Sequence, residues 1–191
     1  MYTGFYTEQE LREIGFAKVG KNVLISQKCS IYQAEKMEIG NNVRIDDFCI
    51  LVGNIVIGNN IHIGAFCHLS GGSGIVMEDY SAVSQKCSLY SQSDDYSGRF
   101  MTNPTIPDKY KQVICGKIVI GRHAIIGASS VVLPGVSVGE GVSVGAMSLV
   151  NKSLEAWTVN VGIPCRTIRK REKDLLRLEK EYEEECRLFE E

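Results

Sequence analysis

Large aliphatic residues recur every six positions along most of the chain, usually followed by Gly, Asp or Ser. Val19-Gly20, Ile25-Ser26 and Ile31 form one run, and Ile39-Gly40, Ile45-Asp46 and Leu51 the next. Ile57-Gly58, Ile63-Gly64 and Leu69-Ser70 form a third. After an interruption the beat resumes as Ile120-Gly121, Ile126-Gly127, Val132, Val138-Gly139, Val144-Gly145 and Val150. A six-residue period matches neither a helical stripe nor one long amphipathic strand. It predicts a solenoid of short strands joined by turns, with one aliphatic side chain per strand pointing inward. Three hexads close one triangular coil of about 18 residues, and stacked coils build three parallel sheets around an apolar core. The triplets Ile55-Val56-Ile57, Ile75-Val76-Met77, Ile118-Val119-Ile120 and Val136-Ser137-Val138 mark one position in successive coils.

Two flanks and one gap depart from the beat. Thr7 to Glu10 has capping-box spacing and predicts a short helix whose Leu11 and Ile14 pack on the first coil. From Arg169 onward the chain is rich in Glu, Lys, Arg and Leu, and Leu175, Leu178, Tyr182 and Phe189 form a helical stripe. From Gln92 to Lys117 the beat vanishes, and a structureless loop of that length in a compact domain signals function. The expected organisation is one domain over 1–191. It comprises an N-terminal helix region 1–18, the solenoid 19–168 carrying the loop 92–117, and a C-terminal helix 169–191.

Charge and composition narrow the function. The 21 Lys+Arg against 23 Asp+Glu leave a net charge of -2, which recommends neither nucleic acid nor a membrane surface as partner. No apolar run approaches the roughly 20 residues of a membrane span. The opening Met1-Tyr2-Thr3-Gly4-Phe5 lacks signal-peptide character, so a cytoplasmic protein is expected. Seven cysteines without C-x-x-C pairing read as reduced thiols. Cys29, Cys49, Cys67 and Cys87 each lie four residues after an inward aliphatic and predict a ladder of small buried side chains.

The aliphatic-Gly-x-x-small-x pattern, the loop and the ending Gly162-Ile163-Pro164-Cys165-Arg166 resemble the hexapeptide-repeat acyltransferases. The opening Phe5-Tyr6-Thr7-Glu8 through Ser26 is similar to the subgroup of bacterial amino-sugar N-acyltransferases acting on nucleotide-linked sugars. The resemblance implies an all-β solenoid, a left-handed parallel β-helix, assembled as a homotrimer with active sites between neighbouring subunits. It implies acyl-CoA as cosubstrate and no metal. The pantetheine arm is expected along Gly127, Ala128 and Ala146, with Arg166 near phosphate.

Sugar O-acylating relatives carry a loop histidine as general base, and the beat places Asp94 at that position. His68 falls where those relatives hold an acceptor-binding asparagine, and Ser84 lies just outside an inward position. A hydroxyl gains much from a base, whereas an amine already offers an accessible lone pair. An aspartate is a weak base at neutral pH but orients an amine well, so Asp94 and Ser84 are expected to hold an amino nitrogen for direct attack on the thioester. The plain alternative for Asp94 is an Asx-turn with Ser97 or Gly98. Glu78 replaces a turn glycine and is placed toward the sugar, while Tyr90 and Arg99 serve either base and diphosphate or loop packing. His123 is either a surface residue or a second-subunit contact, and the remaining base if the loop folds onto it. Rival readings are an O-acyltransferase using His123 or His68, and a non-catalytic scaffold. A zinc lyase needs three converging histidines, and His62 and His68 stand one hexad apart, on different faces.

Overall fold

The computed structural model describes residues 4–190. Met1 to Thr3, Glu191 and the side chains of Phe189 and Glu190 lie outside it, so the last position of the predicted stripe goes untested.

The hexads wind into a left-handed parallel β-helix with three faces. The second face is an eight-stranded sheet among the described residues. Its inward column runs Ile25, Ile45, Ile63, Val83, Ile126, Val144 and Asn160 in direct register. The first and third faces join into one sheet because Ile50–Ile57 and His68–Met77 continue through the corner between them. Ile55, Ile75 and Ile118 stack on the first face, as the recurring triplets predict. All these aliphatics are buried, so each coil adds several fully desolvated side chains to one continuous core.

The thiols form the predicted ladder. Cys29, Cys49, Cys67 and Cys87 are buried, and each Sγ donates to a carbonyl of the next coil: Asp46, Gly64, Ser84 and Gly127, at 3.1–3.2 Å. Ser130 continues it, its Oγ donating to Gly145 at 3.2 Å. The neighbouring Cys49 thiol and burial push the Cys29 thiol well above its ordinary value, which suits packing rather than reactivity.

At the N-terminal end α1 (Glu8–Ile14) has the full capping box. The Thr7 amide donates to Glu10 at 2.7 Å, and the Glu10 amide donates to Thr7 Oγ1 at 3.3 Å. Leu11 is buried and Ile14 packs beside it on the core. The C-terminal end differs from expectation. Arg169 and Lys170, expected to open the helix, belong instead to an extended strand, Arg166–Lys170, antiparallel to Thr158–Val161. The inward slot of this last coil holds Asn160, fully buried, which donates to Thr158 at 2.9 Å and accepts from Thr167 at 2.6 Å. Those bonds tie the return strand to the core; a polar residue here is tolerated because it is satisfied.

The C-terminal helix α2 begins only at Leu175 and runs Leu175–Glu190. It docks on its own chain, at the corner between the first and second faces. Glu179 there receives an ion pair from Arg122 and faces His123 Nε2 at 2.9 Å, while Tyr80 donates to Glu183 at 3.1 Å. Leu175, Leu178 and Tyr182 only line a groove of about 470 Å³ against Tyr80 and Ile125, so polar contacts dominate the docking. Burial pushes the Glu179 carboxyl up, but Arg122 and His123 outweigh it and hold it below its ordinary value. A depressed carboxylate stabilises the docked helix above the ordinary Glu value, ~4.3, and loses that contribution as pH falls through the lower docked value. Asp79 and Glu183 also face Arg122, at 3.4 and 3.6 Å. Hydrogen exchange is expected to show α2 amides losing protection below about pH 4 before the coil amides do. Simultaneous loss from helix and coils would contradict this.

The loop is not structureless. Gln92–Asp94 and Val113–Cys115 pair as an antiparallel ribbon, and a short 3-10 turn, Asp108–Tyr110, lies between them. It leaves the solenoid at the corner between third and first faces.

Candidate active site

One corner and one cleft collect most of the chemistry. The corner between second and third faces carries Ser84, Gly127 with Ala128, and Gly145 with Ala146 in successive coils, each directly after the inward column. Ser84 is half-buried and Ala146 exposed. The column is small for a steric reason. A Cβ on Gly127 would stand 2.5 Å from the Ala146 amide nitrogen, so coils at this corner pack backbone on backbone. A narrow strip of backbone is thereby open to a ligand running along the axis.

The cleft, about 790 Å³, lies at the root of the ribbon. Asp94 and Tyr90 line it on one side, and Ile114, Val131, Leu133 and Pro134 form an apolar wall. The loop carboxylate that meets Ser97 is not Asp94 but its neighbour Asp95, which accepts from Ser97 Oγ at 2.7 Å. Asp94 Oδ2 instead accepts from the Asn103 amide at 3.1 Å. Asn103 is held by its own Oδ1, which accepts from the Thr105 amide at 3.0 Å and from the Thr105 hydroxyl at 2.6 Å. His68 stands edge-on to Tyr90, ring centroids 5.3 Å apart, and burial holds its imidazole below the usual range. A neutral His68 beside the cleft can exchange hydrogen bonds with an acceptor without repelling an ammonium.

Other expected residues stand elsewhere. Glu78 is at the corner between first and second faces, not at the loop root, and accepts from the Arg122 amide at 3.0 Å. The ribbon leaves after the third face, a full strand and corner away. His123 is neither a surface residue nor in reach of the loop. It is 9% exposed, stacked on Tyr80 and paired with Glu179 under α2. Arg99 is exposed on the ribbon, its Nε donating to Ser97 Oγ at 3.1 Å. Arg166 is exposed at the start of the return strand and donates to its own neighbour Cys165 at 2.9 Å. Asn103 and the apolar wall went unforeseen. Val131 and Leu133 flank inward Val132, and that unbroken apolar triplet was the available signal.

Ser84 precedes the third-face strand Ser88–Tyr90 and Asp94 follows it. At ~3.3 Å per residue the intervening rung separates them by roughly 15–20 Å. One copy of the chain therefore does not bring both side chains to one nitrogen. Among the described residues no group of His, Cys, Asp and Glu is placed to hold a metal ion, and no helix is long and apolar enough to cross a membrane.

A three-faced solenoid with a small-residue corner and an excursion at a coil junction defines a class. The family described as bacterial transferase hexapeptide (six repeats) matches residues 36–71 and 117–152, breaking off on either side of the ribbon. The chain belongs to the hexapeptide-repeat acyltransferases. Within them it is similar to the dTDP-4-amino-4,6-dideoxy-D-glucose acyltransferase of Escherichia coli, 44% identical over 178 residues, covering 92% of this chain and 93% of that protein. It is also similar to AntD, an N-acyltransferase from Bacillus cereus solved with dTDP and 3-hydroxybutyryl-CoA. That match has a TM-score of 0.96 at 48% identity, covering 97% of this chain and 100% of that one. AntD has further been solved as S84A, S84C, S84T, D94A and D94N variants.

Proposed function

We propose that this chain transfers an acyl group from acyl-CoA to the amino group of a nucleotide-linked amino-deoxy sugar, a dTDP-4-amino-4,6-dideoxyhexose. The observation that carries the reading is the pairing of Ser84 and Asp94. The same residue types carry the same numbers in AntD, where both were varied. Here Ser84 lies on the open corner and Asp94 in the ribbon's cleft, one rung apart.

That separation favours a homotrimer in which the ribbon of one copy reaches the Ser84 corner of the next. The pantetheine arm then runs along Gly127, Ala128 and Ala146, with Arg166 toward phosphate. The amine, held by Asp94 Oδ1 and Ser84 Oγ, attacks the thioester carbonyl carbon. A C–N bond forms, a backbone amide stabilises the oxyanion, the C–S bond breaks and CoA thiolate departs. The amine proton passes to the thiolate or to water, so no strong base is required. Holding both substrates together contributes roughly 7–11 kcal/mol of the barrier reduction. His68 and Tyr90 line the acceptor side. Glu78 and His123 have structural partners and drop out of the proposed site; Arg99 stays a candidate diphosphate contact. Acyl-CoA supply places the reaction in the cytoplasm, in the building of surface polysaccharide.

The test is thiol release from acetyl-CoA and 3-hydroxybutyryl-CoA with dTDP-4-amino-4,6-dideoxyglucose, against the 4-hydroxy analogue. Turnover with the amine alone supports the proposal. Turnover with the hydroxyl alone replaces it with O-acyl transfer, and turnover with neither removes it.

A further inference from the structure

At the corner between first and second faces, the early coils are tied together by a ladder of side chains. The Lys21 amide donates to Asn41 Oδ1 at 2.8 Å, the Asn41 amide to Asn59 Oδ1 at 2.8 Å, and the Asn59 amide to Asp79 Oδ1 at 2.7 Å. The following coil comes after the ribbon, and its residue in this slot is Arg122, which has no acceptor to offer the Asp79 amide. The ladder therefore stops at the one junction that the ribbon interrupts. The backbone bond is also longest there. The His123 amide reaches the Asp79 carbonyl at 3.3 Å, whereas the equivalent bonds from Asn42, Asn60, Tyr80, Gly141 and Trp157 span 2.8–2.9 Å. A charged clasp takes the ladder's place. Arg122 donates its amide to Glu78 at 3.0 Å and its guanidinium to Asp79 at 3.4 Å. From outside, α2 closes the clasp. Glu179 pairs with Arg122 and with His123 Nε2 at 2.9 Å. Glu183 spans the junction, 3.6 Å from Arg122 on one coil and accepting from Tyr80 at 3.1 Å on the other. The Glu179 side chain is 12% exposed, so solvent and salt screen its pairs little.

We propose that Glu179 and Glu183 of α2 are positioning residues for acyl transfer, which set the spacing of the two coils that carry Ser84 and the Gly127–Ala128 strip. This role rests on the acyl-transfer reading above and adds residues that never touch a substrate. The coils that α2 clasps are the two whose next corner must bring amine and thioester together. Ser84 follows Asp79 by five residues, and Gly127 follows Arg122 by five. Between them run the paired strands Ala82–Val83 and Ile125–Ile126, in direct register, and the Ser84 amide donates to the Ile126 carbonyl at 2.9 Å. Each rung is short and hydrogen-bonded to the other, so a gap opened at the clasped corner is carried along it to Ser84 and Gly127. Each substrate still finds its own coil. What changes is the distance from the nitrogen to the carbonyl carbon, and a displacement of about 1 Å far from the chemistry can cost about 10²-fold in rate.

The test uses Glu179→Gln, which keeps the side chain's shape and removes its charge. Steady-state kinetics with acetyl-CoA and dTDP-4-amino-4,6-dideoxyglucose is expected to show kcat falling about tenfold, a fraction of the full misplacement penalty. KM for both substrates, and calorimetric affinities for CoA and dTDP, stay within about twofold, as a change confined to the reacting geometry requires. Glu183→Gln lowers kcat about threefold, because that pair is more exposed. Arg122→Asn supplies the acceptor that the ladder lacks and keeps more activity than Arg122→Ala, which behaves like Glu179→Gln. Wild-type kcat in Glu179→Gln overturns the inference, even with a lowered denaturant midpoint, since the clasp would then serve stability alone. So does a rise in both KM values at constant kcat, which would make α2 a binding element. If Glu179→Gln does not fold, Glu183→Gln and the two Arg122 variants decide on the same readouts: equal kcat in Arg122→Asn and Arg122→Ala, with Glu183→Gln at wild-type kcat, overturns it. Wild-type protein that turns over no amino-sugar nucleotide would instead overturn the proposed function, and the positioning role with it.

Discussion

Replacing Asp94 with alanine lowers kcat/KM for the amino-sugar nucleotide by about 10²-fold or more, within the usual range for a group handling the transferred proton or its nitrogen. The carboxylate is already half committed: one oxygen accepts from the Asn103 amide at 3.1 Å, which fixes the direction of the other. Steady-state kinetics at saturating acyl-CoA measures the loss. Asp94→Asn is expected to retain more activity than alanine, since a neutral amide oxygen still accepts a hydrogen bond. Affinity for CoA alone is expected to survive both changes. Alanine kinetics equal to wild type would take Asp94 out of the mechanism and leave Ser84 with the positioning alone.

Truncating Ile63 to alanine costs about 2–5 kcal/mol of folding stability, while Ile63→Val costs about 0.5–1.5 kcal/mol. Ile63 is fully buried and in register between Ile45 below and Val83 above. A solenoid cannot collapse sideways into such a void, because each coil is held to its neighbours by backbone hydrogen bonds and the inward slots are single file. Denaturant midpoints at one fixed protein concentration give the comparison. A destabilisation below 1 kcal/mol for alanine would mean that the coil relaxes, contrary to the packing described.

The inward column was legible because each hexad repeats one requirement, an aliphatic side chain before a turn. It failed only at Asn160, where the slot turns polar; a sequence does not announce that Thr158 and Thr167 will satisfy that amide. Arg169 and Lys170, at the end of the strand Arg166–Lys170, were read as helix for a related reason. Its Arg and Lys residues suit a helix, and pairing with Thr158–Val161 overrides that propensity. The ribbon was missed because Gln92 and Cys115 pair across the whole excursion without periodic pattern. At the site, Ser84, Gly127, Ala128 and Ala146 fell together because the beat itself puts them on one corner. Asp94 and Tyr90 were placed beside the loop by simple adjacency. Glu78 and His123 went astray for want of tertiary information. Glu179 lies 56 residues beyond His123, and nothing in the local pattern says that a later helix will lie over that corner.

The return strand has a meaning for colloidal behaviour. Parallel coils are an open-ended stack, and each terminal rung offers unsatisfied amides and carbonyls to any similar rung that drifts by. Here Leu11 of α1 packs at one end of the tube, and the reversed, cation-studded Arg166–Lys170 segment blunts the other, which disfavours head-to-tail growth into fibrils.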